Sequence, residues 1–326
     1  MRNLLRPMLL GLALSAGFLV GCKPSKPALA EPLRVGILKH ESSLPFYVAE
    51  QAGLFKQHSL QVTLVELPPG DHLPALLSDR VAIISPTSFP PLFGIMLQHS
   101  NLLYAVFPGA ELSDGQTVYG LIVRSNSTAR SIRDIRGGVT MAINPYTKVS
   151  IQMILNAAGT PRENWPDIRV ASREAALQAV SDGTATAAIM DQPALAVALT
   201  RGGFKLLESN PRAKYVGSPY WSGAGAVKRE VWNSRNDELK RLLVAIDESV
   251  TLIRKDTHKA HEVLASRLGL SQEIADQCGG YYFPLTTDPV DKRGIQQTID
   301  ALRSANLLEG PLSLGNFFPP GLYGEK

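Results

Sequence analysis

From Leu33 onward the chain alternates short apolar runs with segments that carry helix punctuation, and few architectures accommodate that order. LRVGIL at 33–38 reads as a strand, a helix follows from about Pro45, and QVTLVEL at 61–67 reads as a second strand. Pro45 presets φ near the helix start, and Gly53 tolerates the left-handed conformation that ends it. The result is a βαβ unit.

The pattern continues with HLPALLSDR as a short helix, VAIIS at 81–85 as a strand, SFPPLFGIMLQ as a proline-opened helix and LLYAVF at 102–107. A second series starts after Arg136. VTMAI at 139–143 is a strand, VSIQMILNAAG a helix stopped by Gly159, IRVAS a strand, REAALQAVSDG a helix, AAIM at 187–190 a strand, ALAVALTRGG a helix and FKLLE a strand. Two similar α/β lobes emerge. VYGLIVR at 118–124 reads as a strand-like link out of the first lobe, and GAGAVK at 223–228 as the return.

Helices are then expected at about 237–254, 258–268, 272–277 and 289–305, the last with Asp288 as N-cap and Pro289 at its first position. They should pack back on the first lobe. The division is 33–120 with 224–326 as lobe 1 and 121–223 as lobe 2. Two chain crossings between lobes form a hinge, and the cleft they flank can close on a ligand.

The 326 residues are 44% hydrophobic, enough for a large core, which excludes disorder, collagen and disulfide scaffolds. The formal charge of +4 comes from scattered residues without a Lys/Arg tract, so no nucleic-acid partner is expected.

Residues 1–22, MRNLLRPMLLGLALSAGFLVGC, place Arg2 and Arg6 ahead of an apolar run, Met8 to Val20, too short to span a bilayer comfortably. Residues 1–21 therefore read as a secretory signal peptide. Leu19, Val20, Gly21 and Cys22 resemble the lipobox of bacterial lipoproteins. That resemblance implies cleavage before Cys22 and lipidation of its sulfur, with 22–32 as a tether to the membrane. The alternative is ordinary cleavage near Ala28 to Ala30, with Cys22 lost. Cys278 then has no partner in the mature chain and is expected to be a buried small hydrophobe. No cysteine cluster exists for zinc or iron–sulfur, and no cofactor is expected.

The segment LRVGILKHESSLPFYVAEQAGLFKQHSLQVTLVEL resembles the start of the nitrate/sulfonate/taurine and thiamine-precursor binding proteins of ABC importers. Further similar segments are ISPTS at 84–88, YGLIVR at 119–124, SIRDIRGGVTMAIN at 131–144 and AAIMDQPA at 187–194, in the same order over roughly residues 33–230. Ser59 departs from a usual glycine and Ala82 from a usual aspartate. The resemblance implies a bilobal α/β fold of the type II periplasmic-binding-protein kind, with two open lobes joined by a two-segment hinge. It also implies an exported, membrane-anchored lipoprotein facing the periplasm or cell exterior. The implied partners are a small solute and an ABC permease with its ATPase, and the chain is expected to be a monomer.

In open α/β lobes ligands sit beyond the carboxyl ends of the strands, beside helix N-termini. Ser42 and Ser43 offer hydroxyls there and Phe46 an apolar face, or the serines cap the helix and Phe46 enters the core. Ser85 and Thr87 follow a buried strand. Asn144, Tyr146, Thr147 and Ser150 hold the corresponding position in the second lobe, where Thr147 could equally be an N-cap. Asp191 ends the strand AAIM and would pair with a ligand amine or ring N–H, or else hold the hinge through an inter-lobe bond. Tyr220 and Trp221 could stack on a planar ligand or pack in the core.

The leading function is a lipid-tethered solute receptor that closes around its guest, a sulfonate- or nitrate-like anion or a nitrogen-containing organic molecule, with an organic solute favoured over a small inorganic anion. A sensory subunit for a separate membrane partner is one alternative. Another is an enzyme, because a fungal pyrimidine synthase of similar architecture uses a histidine and cysteines around iron. His40 lies near the cleft loop, but Cys278 is the only cysteine beyond the anchor. His258 and His261, spaced i, i+3, are expected on a solvated face.

Overall fold

A computed structural model describes residues 31–136, 138–142, 147–160, 168–170 and 172–325 of the chain. The chain from Pro32 onward forms one compact unit. Its organisation starts from strands buried on both faces. In β1 (Leu33–Ile37) four of five residues are buried, so the strand must lie inside a sheet covered on each side. It pairs in parallel with β2 (Val62–Glu66) and β3 (Ile83–Ser88).

The six-stranded sheet is completed by β4 (Leu103–Glu111), by β10 (Tyr220–Lys228), which runs antiparallel between β3 and β4, and by the short edge strand β11 (Tyr281–Tyr282). The five-stranded sheet follows the same plan. β6 (Val139–Ala142) lies between β7 (Ile168–Val170) and β8 (Ala187–Asp191) in parallel, and β5 (Tyr119–Arg124) is antiparallel between β8 and β9 (Phe204–Ser209). In each sheet the antiparallel strand next to the parallel trio is the one that the crossing chain supplies.

Two expectations about these crossings need correction. VYGLIVR is not a link but the fully paired strand β5, bonded along both edges and buried at Tyr119–Val123. β4 runs on to Glu111, past the expected end at Phe107, because β10 starts at Tyr220 and pairs with those extra residues. The chain leaves the first sheet after Glu111 and rejoins it at Tyr220. Asn210 ties these passages together. Its side-chain oxygen accepts the N–H groups of Val118 and Tyr119, and its amide donates to the carbonyls of Leu112 and Gln116.

The C-terminal helices cover both faces of the first sheet. Helix Asn236–Lys255 buries Leu239, Leu242, Leu243 and Ile246 beside helix Leu44–Gln51. Helix Lys292–Ser304 buries Ile295, Ile299 and Leu302 on the opposite face. This helix starts later than expected, with Asp291 as the N-cap accepting from Arg293 N–H at 2.9 Å. Asp288 instead closes a turn by accepting from Leu285 N–H. Helix Thr147–Ala157, which follows β6, buries Met153 in the cluster that holds Ile295 and Ile299, and Asn156 donates to Ser304 Oγ at 3.1 Å. An apolar seam therefore joins the two sheets' helices on that side.

Candidate functional site

The carboxyl ends of β1, β2, β3 and β8 open on one cavity of about 460 Å³, and the start of helix Arg173–Asp182 adds a residue to its wall. Parallel strands place their last residues, and the loops that follow, at the same edge of the sheet. The local sequence shapes each loop. After β1, His40 has extended backbone geometry and acts as an N-cap, its Nδ1 accepting the Ser42 N–H at 3.1 Å. Ser42 Oγ lies 2.8 Å from the same nitrogen. With Nδ1 accepting from the backbone, the ring proton belongs on Nε2.

His40 Nε2 lies 3.2 Å from Asp191 Oδ2, within ion-pairing distance though off the axis of a well-aligned hydrogen bond. Asp191 is also gripped from its own side, Arg173 Nε meeting Oδ1 at 3.0 Å and Nη2 meeting Oδ2 at 2.9 Å. Burial alone would raise the Asp191 carboxyl, but His40 and the Arg173 charge outweigh it and hold the carboxyl well below the usual range.

A second pair lies deeper. Glu111, at the end of β4, is fully buried and receives Arg212 through Nε at 3.2 Å and through Nη2. The Arg212 guanidinium stands 3.7 Å over the Tyr119 ring. Burial pushes the Glu111 carboxyl up against the opposing pull of Arg212. Behind His40, Glu41 is 1% exposed, and burial pushes its pKa up to about 7. Its Oε1 accepts from Gly279 N–H at 2.9 Å, while Oε2 has no hydrogen-bond partner among the described residues.

Of the residues singled out from the sequence, Ser42, Thr87, Ser150 and Asp191 line the cavity. Ser43 and Ser85 are buried and do not reach its wall. Phe46 enters the core, edge-on to Phe107 at 5.2 Å, because helix Leu44–Gln51 is buried from Leu44 through Ala49 and has no cavity face. Tyr220 lies under Arg212, and Trp221 is buried edge-on to Tyr282, so neither ring offers a face to a guest. Thr147 opens helix Thr147–Ala157. Asn144, Tyr146 and Cys22 lie outside the described residues.

The wall also contains Lys39, His40, Arg173, Arg212, Tyr119 and Tyr281, none of which was marked as a ligand contact from the sequence. Arg173 follows β7 directly and was within reach of the same strand-end rule. Arg212 and Tyr281 carry no local signal, since long-range folding alone brings them there. Cys278 is buried as expected, and burial beside Glu41 pushes its thiol up, away from the reactive thiolate. His261, expected in solvent, is 3% exposed with Nδ1 3.2 Å from Asp276. The cause is the short helix Gln272–Ala275, which folds over the helix Thr257–Leu268 that carries His261.

Among the described residues no group of three or more His, Cys, Asp or Glu side chains is placed to hold a metal ion. No protein-family model matches the sequence. No curated protein sequence matches it either.

Solved structures do match. The periplasmic aliphatic sulphonate binding protein SsuA from Escherichia coli superposes with a TM-score of 0.70 at 19% identity, over 88% of this chain and 92% of that one. The ligand-binding component of an ABC-type import system from Staphylococcus aureus, with zinc bound, gives 0.70 at 15% identity over 90% and 98%. A DszB variant in complex with biphenyl-2-sulfinic acid gives 0.62 at 12% identity over 88% and 97%. With two sheets built on one plan and a cavity where their strand ends meet, the chain has the bilobal α/β fold of the periplasmic binding proteins.

Proposed function

We propose that this chain is the solute-binding component of an importer, which captures a small organic solute in the cavity and delivers it to a membrane permease driven by an ATPase. One observation carries the reading: the cavity wall is shared, with His40, Thr87 and Arg212 entering from the first sheet and the returning crossing, and Arg173 and Asp191 from the second. A guest touching both parts stabilises the closed form, so binding itself reports occupancy to a partner. The lobes divide close to 33–120 with 224–326 and 121–223, the sheets themselves exchanging chain after Glu111 and at Tyr220; the chain acts as a monomer, and the segment ending at Cys22 exports it and anchors it through a lipidated thiol. ABC import components among the structures of similar fold support this role.

An enzyme reading draws on the DszB neighbour, but the one described thiol, Cys278, is buried away from the cavity with its pKa raised. The test is mass spectrometry of small molecules retained by the purified mature protein, followed by melting with each candidate. A retained solute should raise the melting temperature and be recovered unchanged. Consumption of the solute, or no retained molecule that alters melting, would reject the receptor. Loss of lipid incorporation in a Cys22→Ser chain checks the anchor separately.

A further inference from the structure

Two arginines reach the cavity, and an internal carboxylate takes the side-on edge of each. The Nε and Nη2 groups of a guanidinium form one of its two pairs of donors that match two oxygens of a carboxylate, sulfonate or phosphate. At Arg173 both are taken by Asp191, at 3.0 and 2.9 Å. At Arg212 both are taken by Glu111, which is wholly buried behind the cavity wall. His40 turns its Nε2 toward the same Asp191. The other charged residues on the wall, Lys39 and Glu66, are exposed and opposite in sign.

At the two arginines an arriving oxoanion must therefore evict an internal carboxylate or bind end-on to a guanidinium already neutralised, and the exposed Lys39 is offset by Glu66 on the same wall. Eviction strands two like charges side by side in a partly desolvated space, and end-on binding, through the Nη1/Nη2 edge, sets the anion beside a carboxylate already paired with the same guanidinium. An uncharged solute meets neither obstacle. Hydroxyls of Ser42, Thr87, Ser88 and Ser150 and the ring of Tyr281 supply its contacts.

We propose that Asp191 and Glu111 are specificity-determining residues, internal counter-ions that close the cavity to solutes with net negative charge and leave it to an uncharged, hydrogen-bonding organic solute. This rests on the receptor reading above, and it sets the chain apart from the sulphonate-binding protein whose fold it shares.

The test is calorimetric titration of the mature protein with ethanesulfonate. The wild type should show no saturable binding up to millimolar concentration, and Asp191→Asn, which removes the negative charge that neutralises Arg173, should bind at least tenfold more tightly than that limit. Asp191→Ser carries the same expectation should Asp191→Asn not fold. Micromolar binding of ethanesulfonate by the wild type overturns the proposal while leaving a receptor in place. Folded Asp191 variants that bind no better than the wild type overturn it too. The receptor reading itself fails only on the retained-solute experiment.

Discussion

The imidazole of His40, on the loop after β1, lies 3.2 Å from the carboxylate of Asp191, the last residue of β8, so this contact joins the two sheets across the cavity. The inter-lobe contact is one of the two roles that the sequence offers Asp191. Ion pairs that keep some contact with water contribute about 1 kcal/mol, and 1 kcal/mol shifts an open–closed equilibrium about fivefold. His40→Ala should therefore populate the open form, and the ligand-free radius of gyration from small-angle scattering should rise. An unchanged scattering curve would assign closure to the Met153 seam alone.

Glu41 predicts a pH dependence with a definite sign. Its carboxyl is raised from 4.5 in the unfolded chain to about 7 in the folded one, chiefly by burial. Below about pH 4.5 both states are protonated and nothing is lost. As pH rises from there toward 7, the unfolded chain ionises while the folded one does not, so stability falls by about 3 kcal/mol and then levels off. Glu41→Gln should remove that slope. Denaturation of both proteins at pH 5 and pH 7.5 checks it, and parallel curves would show that Glu41 does not titrate across this window.

How far the sequence reaches can be judged residue by residue. Strands show themselves as apolar runs bounded by Gly and Pro, and the edge they point to follows from their direction, which is why Ser42, Thr87, Ser150 and Asp191 line the cavity as the sequence suggests. Phe46 stays open between cavity and core in the sequence because a helix buried on all sides has no periodicity to tell one face from the other. Glu111 and Arg212 were invisible. They are separated by a whole α/β lobe in sequence and meet only because β10 returns beside β4. The start at Asp291 escaped because Asp288 and Pro289 offer an equally good local signal, and tertiary packing decided between them.

Two glycines should respond in opposite directions to alanine. A Cβ on Gly223 would stand 2.0 Å from the Thr87 carbonyl oxygen, where β10 crosses β3 beside the cavity. Gly223→Ala must push the strands apart, costing about 1–3 kcal/mol or more and displacing Thr87 from the wall. Gly94 lies inside helix Phe89–Gln98 with open space around its missing Cβ. Gly94→Ala should stabilise by about 0.5–1 kcal/mol, since alanine loses less conformational freedom in a helix. Thermal unfolding of both variants suffices, and a neutral Gly223→Ala would mean that the β3–β10 contact is looser than its geometry.

Asn210 makes the most demanding prediction. It is fully buried, with φ +42° and ψ +56°, and its side chain satisfies two N–H groups and two carbonyls of the outgoing crossing, while its own N–H donates to Tyr119 at 2.7 Å. Asparagine is one of the few residues that tolerates the left-handed region and carries both a donor and an acceptor. Asn210→Ala loses all four side-chain bonds and adds backbone strain, so it should cost at least about 3 kcal/mol, given about 1–3 kcal/mol for each buried group left unpaired. Asn210→Gly loses the same bonds without the strain and should be about 1 kcal/mol less damaging, the cost of the left-handed conformation for alanine. Chemical denaturation separates the two contributions. If both variants unfold like the wild type, the crossings are held elsewhere, and the hinge does not depend on this residue.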